Sequence, residues 1–202
     1  WVSLRDTAVS LAAWSEALAG STEATLLAPA HGSDTGEAPG QRIATLDAER
    51  TAELGARAAA AGVTVNTLVQ LAWALVLGSA VGRTDVVFGV TVSGRPAELD
   101  GSASMVGLLI STVPVRVRLD RAATVRESAQ LLQHEQAALL DHHHLAPSAI
   151  EAEVGPGARF DTSLAFESYP LDRTALTAAA GDLSVLGVEA RDATHYPLSL
   201  AV

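Results

Sequence analysis

Hydrophobic positions along the chain fall into two periods that take turns. Residues 4–18, LRDTAVSLAAWSEAL, place Leu4, Ala8, Leu11, Ala12 and Leu18 at helical spacing and close at Gly20, which predicts a leading helix. The stretch 21–40, STEATLLAPAHGSDTGEAPG, has no period and is rich in small residues and proline, so it reads as a connection. RIATLD then predicts a short strand, Asp47 an N-cap, and AERTAELGARAAAAG an alanine-rich helix ended by Gly62. Thr64 caps VNTLVQLAWALVLGSAVG, whose Val65, Leu68, Val69, Ala72, Leu75 and Val76 predict a broad apolar face on a deeply packed helix.

Past Gly82 the pattern changes. Residues 86–92 are almost wholly apolar and β-branched, as in a strand buried on both faces. MVGLLISTVPVRVRLD continues with Val113, Val115, Val117 and Leu119 alternating against Pro114, Arg116 and Arg118, which predicts a half-exposed strand. Pro114 belongs near that strand's start or on a sheet edge. Thr124 with Glu127 three residues later is a capping box, opening a helix that runs to about Leu140. FDTSLAFES, LSVLGVEA and YPLSLAV add two or three strands. Strands interleaved with helices of this length predict an α/β fold, a two-layer sandwich of one mixed sheet with helices packed against it.

Composition narrows the function classes. Of 202 residues, 49% are hydrophobic and 18% charged, enough for a buried core. A formal charge of −10 disfavours a nucleic-acid or anionic-membrane surface, which needs clustered Lys and Arg, and points to protein or small-molecule partners. The absence of cysteine removes disulfide and thiol chemistry and fits a cytoplasmic location. No apolar run reaches the ~18 residues of a membrane span, and no signal peptide opens the chain. The chain starts at Trp1 without a methionine and stops inside an apolar run, so it is expected to be a piece of something longer.

Candidate chemistry centres on DHHHLAPSAI, residues 141–150. The run could be a metal site, a catalytic base or a turn at a helix end. Zinc sites built from histidine draw on one helical face or on separate elements, and three adjacent histidines project in different directions, so no metal is expected. No GxSxG elbow and no Walker loop is present, and no serine has a recognisable nucleophile context.

The order of the remaining pieces carries a resemblance. GRTDVVFGVTVSGRP, MVGLLISTVPVRV, HHHLAPSAIE, RFDTSLAFESYP and THYPLSL, preceded by AAWSEALAG and TLLAPA, resemble the second half of a nonribosomal peptide synthetase condensation domain. The likeness covers nearly the whole chain. It implies a lobe similar to chloramphenicol acetyltransferase, the second of two that form a V with a tunnel between them. Such a domain joins a donor acyl thioester and an acceptor amine, each tethered to the phosphopantetheine arm of a carrier protein, in an amide bond. It binds no cofactor of its own.

The resemblance also assigns positions. The family's catalytic histidine lies in HHxxxDG on the N-terminal lobe, and the histidines here are followed by Pro147-Ser148 or Ser148-Ala149 instead of Asp-Gly, so no catalytic residue is expected in this chain. His142 and His144 align with a later element that follows a long helix, and are read as structural caps of its end. Ser93, Gly94 and Arg95 align with the turn leaving the buried strand, where Arg95 is expected to anchor the turn. Gly107, Ser111 and Thr112 align with a tunnel-side element, with Ser111 in place of the usual asparagine. One hydroxyl cannot reproduce an amide's donor and acceptor, so a substrate contact made by that asparagine does not transfer. Gly107 is read either as functional or as a place where close packing excludes a side chain. Glu167 is a tunnel candidate or a solvent-side strand residue, and Ser168 again replaces asparagine. The implied organisation is a leading helix over 1–20, a connecting loop over 21–40 and an α/β lobe over 41–202, with the N-terminal lobe absent. The implied partners are that lobe, peptidyl carrier proteins and an adjacent adenylation domain. The alternative is a catalytically degenerate recruitment module of the same fold.

Overall fold

Strand β1 (Asp85–Val92) forms the centre of the sheet, as its unbroken apolar run requires. In the computed structural model, which describes residues 1–28, 40–96, 98–167 and 194–202, Val86 through Val90 are all buried. β2 (Ser111–Arg118) pairs with it antiparallel, β3 (Thr162–Ala165) parallel, and β4 (Leu198–Ala201) parallel to β3, in the order β2-β1-β3-β4. The sheet is mixed and carries helices against it, the α/β class read from the sequence. LSVLGVEA, Ser168 and the connection from 29 to 39 lie outside the described residues.

Ladder parity explains Pro114. Leu119 N–H bonds Thr84 O at 2.6 Å, and 84 and 119 continue the register that pairs Asp85 with Arg118. Hydrogen-bonded pairs in an antiparallel ladder alternate, so 117, 115 and 113 bond inward and the backbone of 112, 114, 116 and 118 faces the outer edge of the described sheet. The N–H that proline lacks therefore falls where no ladder bond is lost, although Pro114 sits mid-strand opposite Gly89. The same parity turns Val87 N–H away from β2, and it donates to Thr25 Oγ1 at 2.9 Å.

Helices α2 (Ala48–Ala61), α3 (Val65–Val81) and α4 (Val125–Ala138) cover one face. Val86, Phe88, Val90, Val115 and Val117 meet Leu71, Ala74, Leu77, Ala129 and Leu132 there. Each large side chain so buried contributes about 1.5–3 kcal/mol. On the other face Val87 packs with Trp14 and Leu18 of α1 (Thr7–Ala17) and its C-cap, and with Ile150 of α5 (Pro147–Val154). Among the described residues no single helix is long and apolar enough to cross a membrane.

Caps set the helix boundaries. Asp47, Thr64 and the Thr124–Glu127 capping box start α2, α3 and α4, and Gly62 and Gly82 end α2 and α3 in the left-handed conformation. Four local expectations are corrected. The leading helix begins at Thr7, because the Asp6 carboxylate accepts from Ala8 and Val9 N–H, and Leu4 lies outside it in an exposed 3-10 turn. RIATLD is not a strand: no described strand pairs with it, and Ile43 is 82% exposed. MVGLLI is not strand either; β2 starts at Ser111. On α3 the buried face is Thr67, Gln70, Leu71, Ala74, Leu77 and Gly78, while Leu75 and Val76 are exposed. The core-facing stripe takes in Gln70 because Gln136 of α4 donates to its side-chain oxygen at 2.8 Å.

Candidate functional site

β1, β3 and β4 run in one direction, so their C-terminal ends share one end of the sheet with the N-terminal end of β2. In open α/β sheets that end is where ligands bind. Ser93, Gly94 and Arg95 leave β1 there, Ser111 and Thr112 begin β2 opposite Val92 and Thr91, and Glu167 follows β3. The Glu167 N–H donates to Val202 O at 2.7 Å and its side chain is exposed. The topology thus gathers residues spread from 93 to 167 along the chain.

The turn and the segment after it are one unit. Gly94 has φ +59°, and a Cβ built on it would stand 1.8 Å from Leu109 O, so this position needs glycine on both counts. Arg95 donates to Ser102 O and, at 3.1 Å, to Met105 O, bridging the turn to the segment that follows. That segment presents its side chains outward: Val106 is fully exposed and Leu108 92% exposed, with Met105 and Ile110 exposed beside them. Among the described residues nothing lies within 4 Å of a Cβ built on Gly107, so none of them excludes a side chain there.

The histidine turn supplies the opposite wall. A cavity of about 300 Å³ is lined by Trp1, the 93–96 turn, Glu98, Asp141, His143 and His144. His142, Ser111, Thr112 and Glu167 do not line it. His144 Nδ1 donates to the Asp141 carbonyl in the 3-10 turn that follows α4, and His142 and His144 also turn to α1. His142 Nδ1 is 3.0 Å and His144 Nε2 3.5 Å from Ser10 Oγ, and Trp14 Nε1–H donates to His142 O at 3.1 Å. His143 stacks on Trp14 and His144 meets Trp1 edge-on. α4 closes with its own backbone, Leu139 N–H bonding Gln136 O and Ala137 O. Burial, and secondarily the neighbouring His142, push the His143 imidazole below its ordinary value. Among the described residues no three His, Asp or Glu side chains converge on a metal position.

Several contributors do not stand out in the sequence. Asp161 accepts from Leu27 and Ala28 N–H at 2.7–2.9 Å and ties the connection to the base of β3. Thr25 is buried, accepts from Val87 N–H and from Arg83, and bridges to Phe160. Phe160 lies over Gly89, where a Cβ would stand 2.4 Å from its ring, and stacks on Tyr196. Burial pushes the Tyr196 phenol up, a hydrogen bond with Thr112 opposing it. A glycine inside an otherwise β-branched strand is the available signal for that close approach.

Comparison with known proteins follows the same architecture. A family model described as Condensation domain matches residues 6–202. A linear gramicidin synthase of Brevibacillus parabrevis is 40% identical over 79% of this chain, which spans 2% of that protein. Chondramide synthase cmdD of Chondromyces crocatus is 36% identical over 100% of the chain, which spans 5% of it. Among solved structures, the first condensation domain of the CDA synthetase matches with a TM-score of 0.64 at 21% identity, over 80% of this chain and 35% of that one.

Proposed function

The chain belongs to the condensation-domain family, and from that premise we propose that it is the C-terminal lobe of an amide-forming domain of a nonribosomal peptide synthetase. In this reading a donor acyl or peptidyl thioester and an acceptor aminoacyl thioester, each on the phosphopantetheine arm of a carrier protein, meet at the C-terminal end of the sheet. The lobe supplies walls and not the base. Ser93–Arg95, Gly107, Ser111, Thr112 and Glu167 face the tunnel or the other lobe, and the catalytic histidine comes from an N-terminal lobe. An adjacent adenylation domain supplies the activated amino acid. Holding two tethered reactants together provides much of the rate in such a scheme.

One observation carries the reading. The segment from Met105 to Ile110 is held by Arg95 and abuts Gly94, yet offers Val106, Leu108 and Ile110 to solvent. An apolar ridge of this kind is the signature of a surface that meets a partner, and it stands beside the Ser93–Arg95 turn that leaves the buried strand.

The test is complementation. The isolated chain, mixed with carrier-loaded donor and acceptor, is expected to form no amide. Fused behind a condensation-domain N-terminal lobe with an intact HHxxxDG, it is expected to form product, and to lose it when the second histidine of that motif is replaced. Turnover by the isolated chain would refute the assignment of the base, and a folded fusion without product would favour the recruitment module.

A further inference from the structure

The hydrogen bonds of the histidine turn have a fixed direction. His144 Nδ1 lies 3.0 Å from the carbonyl oxygen of Asp141. A carbonyl only accepts, so Nδ1 carries the proton and Nε2 of the neutral ring is an acceptor. Ser10 Oγ therefore donates to His144 Nε2 and receives from His142 Nδ1. Ser10 is 3% exposed, so these rings are what satisfies its hydroxyl. The chain of donors runs from His142 through Ser10 and His144 to the Asp141 carbonyl.

This chain accommodates one added proton and not two. With His142 charged, its Nδ1–H still donates to Ser10 and the added proton sits on Nε2, so the relay is unchanged. With His144 charged, its Nε2–H donates to Ser10, whose own proton turns to His142 Nδ1 once His142 has moved its proton from Nδ1 to Nε2. Every group remains paired. With both rings charged, both donate to Ser10, the hydroxyl hydrogen has no acceptor, and two cations meet across one oxygen. A buried unpaired donor and a like-charge contact both oppose the docked state.

The surroundings offer limited compensation. From α1 and the residues before it come Arg5, Asp6 and Glu16, and from the 93–98 loop Arg95 and Glu98. β2 and α4 present Arg116, Arg118, His134 and Glu135. α5, packed on α1, presents Glu151. Glu98 is bound to Arg5, Asp85 to Arg116, Glu135 to Arg118 and Glu151 to Arg159, and the Asp6 carboxylate caps α1. Among the acidic groups lining the two adjoining cavities, Glu16 and Asp141 alone have no arginine partner among the described residues.

We propose that Ser10, His142 and His144 are a protonation-dependent latch on α1: neutral or singly charged, the relay holds the helix on the lobe, and double protonation releases it. Release uncovers the cavity of about 510 Å³ that α1 forms with β2 and α4. The latch does not depend on the reaction proposed above.

Hydrogen exchange of the full chain tests it, with α1 amides compared with α3 amides after correction for intrinsic exchange. Between about pH 7.5 and about pH 5, α1 protection is expected to fall about tenfold or more relative to α3. The His142→Gln/His144→Gln double variant, whose amides still donate and accept, is expected to stay docked and lose most of that fall, the remainder belonging to the buried His143 on Trp14, while His143→Gln keeps most of it. Should the double variant fail to fold, Ser10→Ala serves: its α1 is expected to exchange at pH 7.5 as the wild type does at pH 5. A wild-type α1 unchanged with pH, a fall that persists undiminished in the double variant or vanishes in His143→Gln, or a Ser10→Ala chain protected like wild type at pH 7.5 overturns the latch.

Discussion

Two glycines in the family-like elements, Gly94 and Gly107, are expected to respond in opposite ways to one added methyl group. Gly94 has φ +59°, where an L-residue costs about 1–2 kcal/mol. Its Cβ would stand 1.8 Å from Leu109 O. An ordinary carbon–oxygen contact is about 3.3 Å, so the turn and the segment must part by about 1.5 Å. Both sides are backbone, and Arg95 pins them together through Ser102 O and Met105 O, so no flexible side-chain end can yield. Overpacking of this kind costs about 1–3 kcal/mol. The sum for Gly94→Ala is about 2–5 kcal/mol, a fall in Tm of roughly 5–15 °C for a chain of this size.

Gly107 has no positive φ and, among the described residues, no atom within 4 Å of a built Cβ. Gly107→Ala is therefore expected to be neutral or to stabilise by about 0.4–1 kcal/mol through the unfolded chain. Thermal and urea unfolding of both variants, followed by far-UV circular dichroism, gives the comparison. Equal effects at the two sites, or a Gly94→Ala chain within about 0.5 kcal/mol of wild type, would refute the account of the turn as a backbone-locked unit.

Four further outcomes are expected. Arg116 is 8% exposed, makes a bidentate pair with Asp85 and donates to Ala19 O at the end of α1; Arg116→Ala should cost about 2–3 kcal/mol in urea unfolding, below the value for a fully buried pair because Asp85 is 39% exposed. Thr124→Ala removes the capping hydroxyl of α4 and should cost about 1 kcal/mol at neutral pH. The Glu127 carboxyl, held below its usual range chiefly by the Thr124 N–H, stabilises the fold above the ordinary carboxylate value and loses that contribution in acid, so stability should fall with Glu127 titration, and less so in Glu127→Gln. His143 sits below the ordinary imidazole value of 6.5, so the unfolded chain binds protons first as pH falls; stability should be full above that value and decline below it, and the decline in urea midpoint should shrink in His143→Gln.

What can be read from the sequence follows a physical division. The caps Asp47, Thr64 and Thr124, the left-handed Gly62 and Gly82, and the doubly buried β1 depend on residues within one element, and the structure has them. Pattern reading fails where a distant element decides. The buried face of α3 runs through Gln70 because Gln136 is there to meet it, which periodicity in apolar residues cannot register. The apolar residues of MVGLLI have the look of strand, but Arg95 and Gly94 hold the segment as an outward-facing loop. For the site, the turn at Ser93–Arg95 and the start of β2 are legible through the order of motifs. Nothing in the sequence ties Ser10 and Trp14 to the histidines, since 128 or more residues separate them.

The histidine turn and the exposed ridge express one property of this chain. Among the described residues β2 is the outer strand, and its outward-facing backbone positions include Pro114, which offers no N–H to a docking strand. Association by strand addition is therefore disfavoured at this edge. Met105, Val106, Leu108 and Ile110 are instead offered at the C-terminal end of the sheet, on a loop fixed by hydrogen bonds to backbone carbonyls. A partner meeting that surface packs side chains against a preformed ridge and does not order a strand, so the contact carries little ordering cost. The histidine turn answers a related need. α1 has no strand to join and a modest apolar face of Trp14 and Leu18, and polar contacts from Ser10 and the Ala19 carbonyl complete its attachment. Its attachment is then sensitive to proton and charge where a purely apolar interface is not.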